Sequence, residues 1–277
     1  MTPFELIKAT LKEDAPHGDI TCKNLVQELK IANDKTLGHF IAKQDLVFSG
    51  SLFFMALKEL NLGLEVELFF KDGSHVKKGQ TIAQVFGPWT QLVYIERSLL
   101  NLIGRFSGIA TLTRKFVEQV QHTHCQILDT RKTTPLFRNY EKAAVIHGGG
   151  TNHRMNLSSE IMLKENHLCR ITKSLVLSLT ELKEKNPQTK ITIECQTIDE
   201  VKFVSQTPVD QILLDNMDLE TLREAMAIIP KRIKIEASGN MSLERVKSVA
   251  EVGVDFISVG AITHSAPVAD ISFLIDK

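Results

Sequence analysis

The chain has 277 residues, 43% hydrophobic and 24% charged, a globular balance that argues against long disorder and suits one or two domains. Its 33 basic residues offset 33 acidic ones, so no overall field favours nucleic acid or a membrane surface. Any anion site must therefore come from local clustering.

The first stretch, Pro3 to Leu11, reads as an amphipathic helix and lacks the apolar run of a signal peptide. Strand-like runs follow at 37–43 and 64–70. The longest nearly apolar stretch, Leu46 to Leu57, is broken by Ser49, Gly50 and Ser51 and is too short to span a bilayer. Segment 71–87 has turn signals at Asp72-Gly73 and Lys78-Gly79 between β-type runs, like half of a biotinyl or lipoyl-type sandwich. It lacks a carrier lysine hairpin, and Lys77 and Lys78 suit a solvated turn. A long helix is predicted from about Gln91 to Leu102, and Gly104, Ser107 and Gly108 suggest close packing or a junction. We divide the chain there, into 1–108 and 109–277.

The second part repeats one theme, a short apolar run that ends in a polar residue. The runs are QIL before Asp129, IML before Lys164, ITI before Glu194, ILL before Asp215, IKIEA before Ser238 and FISV before Gly260. The last four begin about 21–23 residues apart, the length of one βα unit. Such alternation predicts a parallel α/β sheet or barrel, with chemistry at the C-terminal strand ends. There is no G-x-G-x-x-G or Walker A motif, which disfavours a Rossmann dehydrogenase or a P-loop enzyme. Cys22, Cys125, Cys169 and Cys195 form no C-x-x-C pair, so reduced thiols in a cytoplasmic protein are expected. His39, His75, His122 and His124 show no metal-ligand spacing.

Segment 129–167 concentrates Arg131, Lys132, Arg138, Lys142, Arg154 and Lys164 with His147, His153 and His167. Arginine forks suit planar carboxylates and lysine suits phosphate. Gly148-Gly149-Gly150 allows close backbone approach. The pattern points to a small polyanion, against the alternative of a solvated basic loop.

The order Asp129-Thr130-Arg131-Lys132-Thr133-Thr134-Pro135, Glu141-Lys142, Gly148-Gly149-Gly150, Asn152-His153-Arg154 and Lys164-Glu165-Asn166-His167 resembles the quinolinate phosphoribosyltransferase family. Gly18-Asp19-Ile20-Thr21, Glu96-Arg97, Ser107-Gly108, Leu214-Asp215-Asn216, Glu236-Ala237-Ser238-Gly239 and Ser258-Val259-Gly260-Ala261 extend the likeness along nearly the whole chain. Leu136 departs from it, standing where the family usually has glycine.

The resemblance implies an N-terminal α/β sandwich domain and an incomplete, seven-stranded-type α/β barrel. It implies transfer of phosphoribosyl from 5-phosphoribosyl 1-pyrophosphate to quinolinate with loss of CO2, giving nicotinate mononucleotide and pyrophosphate in NAD biosynthesis. Magnesium would arrive with the pyrophosphate substrate, with no protein-held metal and no organic cofactor. Arg131, His153, Arg154 and Lys164 match carboxylate-binding positions, with Thr130 beside them, and Lys132 matches a phosphate or pyrophosphate ligand. Glu194 and Asp215 match the pair beside the ribose, so Lys132, Glu194 and Asp215 are the implied catalytic residues. Ser238, Gly239 and Asn240, with Val259, Gly260 and Ala261, match phosphate-binding loops. Arg97 matches a position that reaches a neighbouring subunit's site, which implies a homodimer and leaves a hexamer of dimers open. Its plainer reading is an ion pair with Glu96 or Glu118. Rival readings are a molybdenum-linked relative, a nicotinate-using enzyme and a non-catalytic carrier.

Overall fold

A computed structural model describes residues 1–276. It divides into two compact units: residues 1–112, 146–149 and 266 onward form one, and 113–145 with 150–265 form the other. Grouped by contacts, residues 146–149 and those from 266 onward thus join the first part of the chain.

In the first unit, α1 (Pro3–Asp14) starts on a capping box. Thr2 Oγ1 accepts the Glu5 amide at 3.2 Å, and the Thr2 amide donates to the Glu5 carboxylate at 2.7 Å. Asp19 caps α2 (Ile20–Gln27) by accepting the amides of Thr21 and Cys22. β1 (Lys35–Ala42) and β2 (Leu46–Val47) precede α3 (Ser51–Leu57). Next come β3 (Glu65–Leu68), β4 (His75–Val76), β5 (Thr81–Pro88) and α4 (Trp89–Val120). The lipoyl-like half resolves into β4, paired with β2, and β5, paired with β1 and β3. The Lys77 ammonium meets Asp45 at 2.9 Å in the exposed turn.

The second unit contains β6 (Gln126–Leu128) and β7 (Ile161–Leu163), and α5 (Arg138–His147) runs from it into the 146–149 piece of the first. Then follow α6 (Glu165–Leu168), α7 (Leu175–Lys185), β8 (Ile191–Cys195), α8 (Ile198–Val204), β9 (Gln211–Asp215) and α9 (Leu219–Ile228). β10 (Lys234–Ser238), α10 (Leu243–Glu251), β11 (Phe256–Ser258) and α11 (Ala261–His264) complete it. The last strand, β12 (Ile271–Ile275), belongs to the first unit. It pairs antiparallel with β1, giving the order β12-β1-β5-β3.

Of the two readings of Gly104, Ser107 and Gly108, close packing holds and a break in the helix does not. Gly104 and Gly108 lie inside the helix, and a β-carbon on Gly108 would come 2.0 Å from the Pro267 carbonyl oxygen. The Ala269 amide donates to the Gly104 carbonyl at 2.9 Å. These small positions bring the approach to β12 against the helix. The apolar filling is aromatic: Phe40 meets Phe54 edge-on at 5.0 Å, and Phe53 stacks on Phe106 at 5.4 Å.

All six predicted apolar runs of the second unit are strands, in the parallel order β6-β11-β10-β9-β8-β7. Leu128 also bridges Thr151 in parallel, a one-residue seventh position. One register row is apolar, with Cys195, Leu214, Ala237 and Ile257 side by side. The alternate row reads Glu194, Leu213, Glu236 and Phe256. Side chains alternate across a strand, so the two rows face opposite sides of the sheet. Val246, Val249 and Ala250 on α10 are buried at helical spacing, as are Leu222 and Ala225 on α9.

Candidate active site

The second unit holds a cleft of about 960 Å³ whose walls are side chains from the C-terminal strand ends and the loops that follow them. Thr130, Arg131 and Lys132 enter it after β6. The Thr130 hydroxyl oxygen accepts the Lys132 amide at 3.0 Å, and Thr263 Oγ1 donates to the Lys132 carbonyl at 2.8 Å. Asp129, just before them, is fully buried and ion-paired with Lys142 of α5, itself fully buried. Asp129 also accepts the His153 amide at 2.9 Å, and Lys142 Nζ donates to the His153 carbonyl at 2.9 Å. With its amide turned to donate, Asn152 reaches the Lys142 carbonyl and the second Asp129 oxygen. Burial pushes the Asp129 carboxyl up and the Lys142 ammonium down, and each partner opposes the shift in the other. The pair joins β6 to the His153 backbone, so the basic segment is a built wall.

His153 and Arg154 line the cleft beside Arg131. The Arg154 amide donates to His153 Nδ1 at 2.6 Å, and its guanidinium reaches the Glu160 carbonyl at 3.3 Å. Burial lowers the Arg154 pKa and the Arg131 charge adds to that, while Glu160 and Glu236 act against it. Arg138, not among the expected site residues, also lines the cleft. It donates to Thr133 Oγ1 at 3.1 Å and to the Met155 carbonyl at 3.2 Å, tying two loop segments together.

Lys164, after β7, ion-pairs directly with Glu194 at the end of β8. Asp215, at the end of β9, accepts from Asn216 Nδ2 at 2.7 Å. Both carboxylates line the cleft. Ser238, Gly239 and Asn240 form its edge after β10. Gly239 has φ +96°, and a β-carbon there would come 2.2 Å from Asn216 Oδ1, so the turn needs glycine. Asn216 and Asn240 also adopt positive φ, the conformation asparagine tolerates best after glycine.

Gly260 and Ala261 line the cleft at the start of α11, whose first amides have no intrahelical acceptor. Val259 does not line it. That side chain is buried, and its amide is spent on the Leu128 carbonyl at 2.9 Å. Arg97 lies on α4 in the first unit, exposed, and is not among the lining residues. It forms no ion pair with Glu96 or Glu118 among the described residues.

Met162, Leu213, Asn216, Glu236, Ser258 and His264 also line the cleft and were not expected there. Glu236 left a trace in the sequence, a carboxylate inside the otherwise apolar IKIEA run. Met162 and Leu213 left none, because an apolar strand residue is ordinarily core.

Two family models match the chain: the N-terminal domain of quinolinate phosphoribosyl transferase over residues 19–107 and its C-terminal domain over 109–274. The chloroplastic carboxylating nicotinate-nucleotide pyrophosphorylase of Arabidopsis thaliana is 40% identical over 98% of this chain and 82% of its own length. The probable counterpart in Bacillus subtilis is 35% identical, covering 97% of this chain and 91% of the relative. Among solved structures, the nicotinate-nucleotide pyrophosphorylase of Francisella tularensis superposes with a TM-score of 0.91. It is 30% identical and covers 99% of this chain and 96% of the other. With both domain models matched in order over most of its length, the chain belongs to the quinolinate phosphoribosyltransferase family.

Proposed function

We propose that the protein joins quinolinate to 5-phosphoribosyl 1-pyrophosphate and releases pyrophosphate, CO2 and nicotinate mononucleotide. One observation carries this reading. Arg131, His153, Arg154 and Lys164 line the same cleft as the carboxylates Glu194 and Asp215. A pyridine with two adjacent carboxylates needs several converging donors, and arginine forks supply them in pairs. Thr130 and Lys132 extend that wall toward phosphate or pyrophosphate.

The steps balance without a side-chain nucleophile. The pyridine nitrogen attacks C1′ as the bond from C1′ to the pyrophosphate oxygen breaks. Glu194 and Asp215 stabilise the positive charge that builds on the ribose. The carbon–carboxylate bond next to the pyridinium nitrogen then breaks. Its electron pair stays on the ring carbon, which takes up a proton as CO2 leaves. Positioning and charge supply most of the rate. Magnesium belongs here to the phosphoribosyl substrate, whose oxygens it binds along with water. Backbone amides around Ser238, Gly239 and Asn240, and at Gly260 and Ala261, suit the 5′-phosphate.

We further read the working form as a homodimer in which Arg97 completes a partner's site. Arg97 is exposed, and Phe86 and Leu274 are exposed on one face of the antiparallel sheet. Exposed apolar area of that kind suits association. A cytoplasmic location is our reading too. All four cysteines are free, and burial pushes three of the thiols up to about 12.

Turnover with quinolinate and nicotinate in parallel tests the substrate. Activity on quinolinate alone is expected. Equal or better activity on nicotinate would replace this reading with the nicotinate-using one.

A further inference from the structure

Glu236 lies in the middle of β10 with no exposed surface, between Leu213 and Phe256 in the register. A carboxylate there is costly unless partnered, and its partners are all polar side chains. Gln211 Nε2 and the Ser258 hydroxyl donate to its two oxygens. His153 Nε2 lies 3.3 Å from Oε2.

The other ring nitrogen of His153 is already committed, because Nδ1 accepts the Arg154 amide at 2.6 Å. The ring proton therefore sits on Nε2 and faces Glu236. The second carboxylate beside the ring, Glu160, is 3.4 Å from Nδ1, and the Glu160 oxygen nearest the ring has no hydrogen-bond partner. Lys190 offsets Glu160 at 3.4 Å. The Arg154 amide thus sets the tautomer of His153, Glu236 faces its protonated nitrogen and holds the ring's plane, and the Glu236 charge also supports the Arg154 guanidinium.

We propose that Glu236 is a positioning residue for aromatic dicarboxylate recognition, acting through His153 and Arg154 from beneath the cleft. The proposal deepens the quinolinate reading and rests on it. A merely structural acid would serve the sheet, and its loss would disturb both substrates alike. A positioning acid serves the carboxylate wall, and its loss should fall on one substrate.

Glu236→Gln keeps the volume but turns one acceptor into a donor, leaving one oxygen for Ser258, Gln211 and His153. The KM for quinolinate should rise about tenfold, as expected when a buried donor loses its partner. The KM for phosphoribosyl pyrophosphate should stay within about twofold, because the contacts of the Glu236 carboxylate are to Gln211, Ser258 and His153 and not to Lys132, Asp215 or the 238–240 and 260–261 loops among the described residues. In substrate-free protein, the His153 Nε2–H should carry the ¹⁵N shift of a proton facing a carboxylate, and that resonance should move in the variant, while Nδ1 stays unprotonated because the Arg154 amide still holds it. An unchanged Nε2 resonance with unchanged quinolinate KM would overturn the proposal, as would equal rises in both KM values with that resonance unchanged. Ser258→Ala keeps the charge and removes one donor, so it should give a smaller change in the same direction. Should Glu236→Gln fail to fold, Glu236→Asp keeps the charge but withdraws it from the ring, and a folded Glu236→Asp protein with wild-type Nε2 resonance and wild-type quinolinate KM overturns the proposal. The resonance is read without substrate, so it decides the positioning role even if wild-type protein does not turn over quinolinate.

Discussion

Asp215 carries the sharpest expectation among single residues. It faces the cleft from the end of β9, and among the described residues its carboxylate accepts from Asn216. If it stabilises charge that appears only as pyrophosphate leaves, Asp215→Asn lowers kcat by about 100-fold or more and changes both KM values little. Steady-state kinetics with each substrate varied checks this, and an unchanged kcat removes Asp215 from the chemistry. Leu136 makes a different case. It has φ +68° and is 79% exposed, so it bears left-handed strain and gains little from burial. Relieving about 1–2 kcal/mol of strain outweighs the extra unfolded-state entropy of glycine, about 0.5–1 kcal/mol. Leu136→Gly should therefore raise the denaturation midpoint slightly and leave turnover unchanged. A clear loss of stability would mean that the leucine side chain holds the loop. The sequence showed where the charged residues gather, because a cluster of arginine, lysine and histidine in a neutral chain stands out. It could not show which of them face the cleft. Lys142 belongs to the same cluster but is buried against Asp129, and that pairing exists only once β6 and α5 are folded.

Elements were legible where periodicity and a polar stop coincided. All six strands of the parallel sheet fall on the apolar runs, and the charged residue closing a run lines the cleft at Lys164, Glu194 and Asp215. α4 was read too short. Glycine ordinarily weakens a helix interior, yet Gly104 and Gly108 sit inside a 32-residue helix as contact points. Neighbouring chain, not local propensity, decides their use. Gly108→Ala tests this directly. Its β-carbon would meet the Pro267 carbonyl oxygen at 2.0 Å, a backbone atom with little freedom to give way. We expect a loss of about 3 kcal/mol or more, the upper range for overpacking, despite the better helix propensity of alanine. Chemical denaturation measures it, and a neutral or stabilising result would show that β12 and its approach are free to shift.

For the whole molecule, the pairing partner of the last strand was the least legible feature. β12 closes the sheet of the first unit by pairing with β1, more than two hundred residues earlier in the chain. No local pattern in the last strand names that partner, since any alternating apolar strand would look the same. The chain thus leaves the first unit, builds the parallel sheet with its cleft, and returns. The family resemblance and the geometry meet in the cleft, where Arg131, Arg154 and Lys164 share one space with Glu194 and Asp215. The most direct measurement follows the fate of the carboxylate next to the ring nitrogen. Quinolinate labelled at that carboxylate is supplied with 5-phosphoribosyl 1-pyrophosphate and magnesium. One labelled CO2 should appear for each nicotinate mononucleotide and each pyrophosphate formed. Product that retains the label, or no turnover by folded protein, would contradict decarboxylating phosphoribosyl transfer in this cleft.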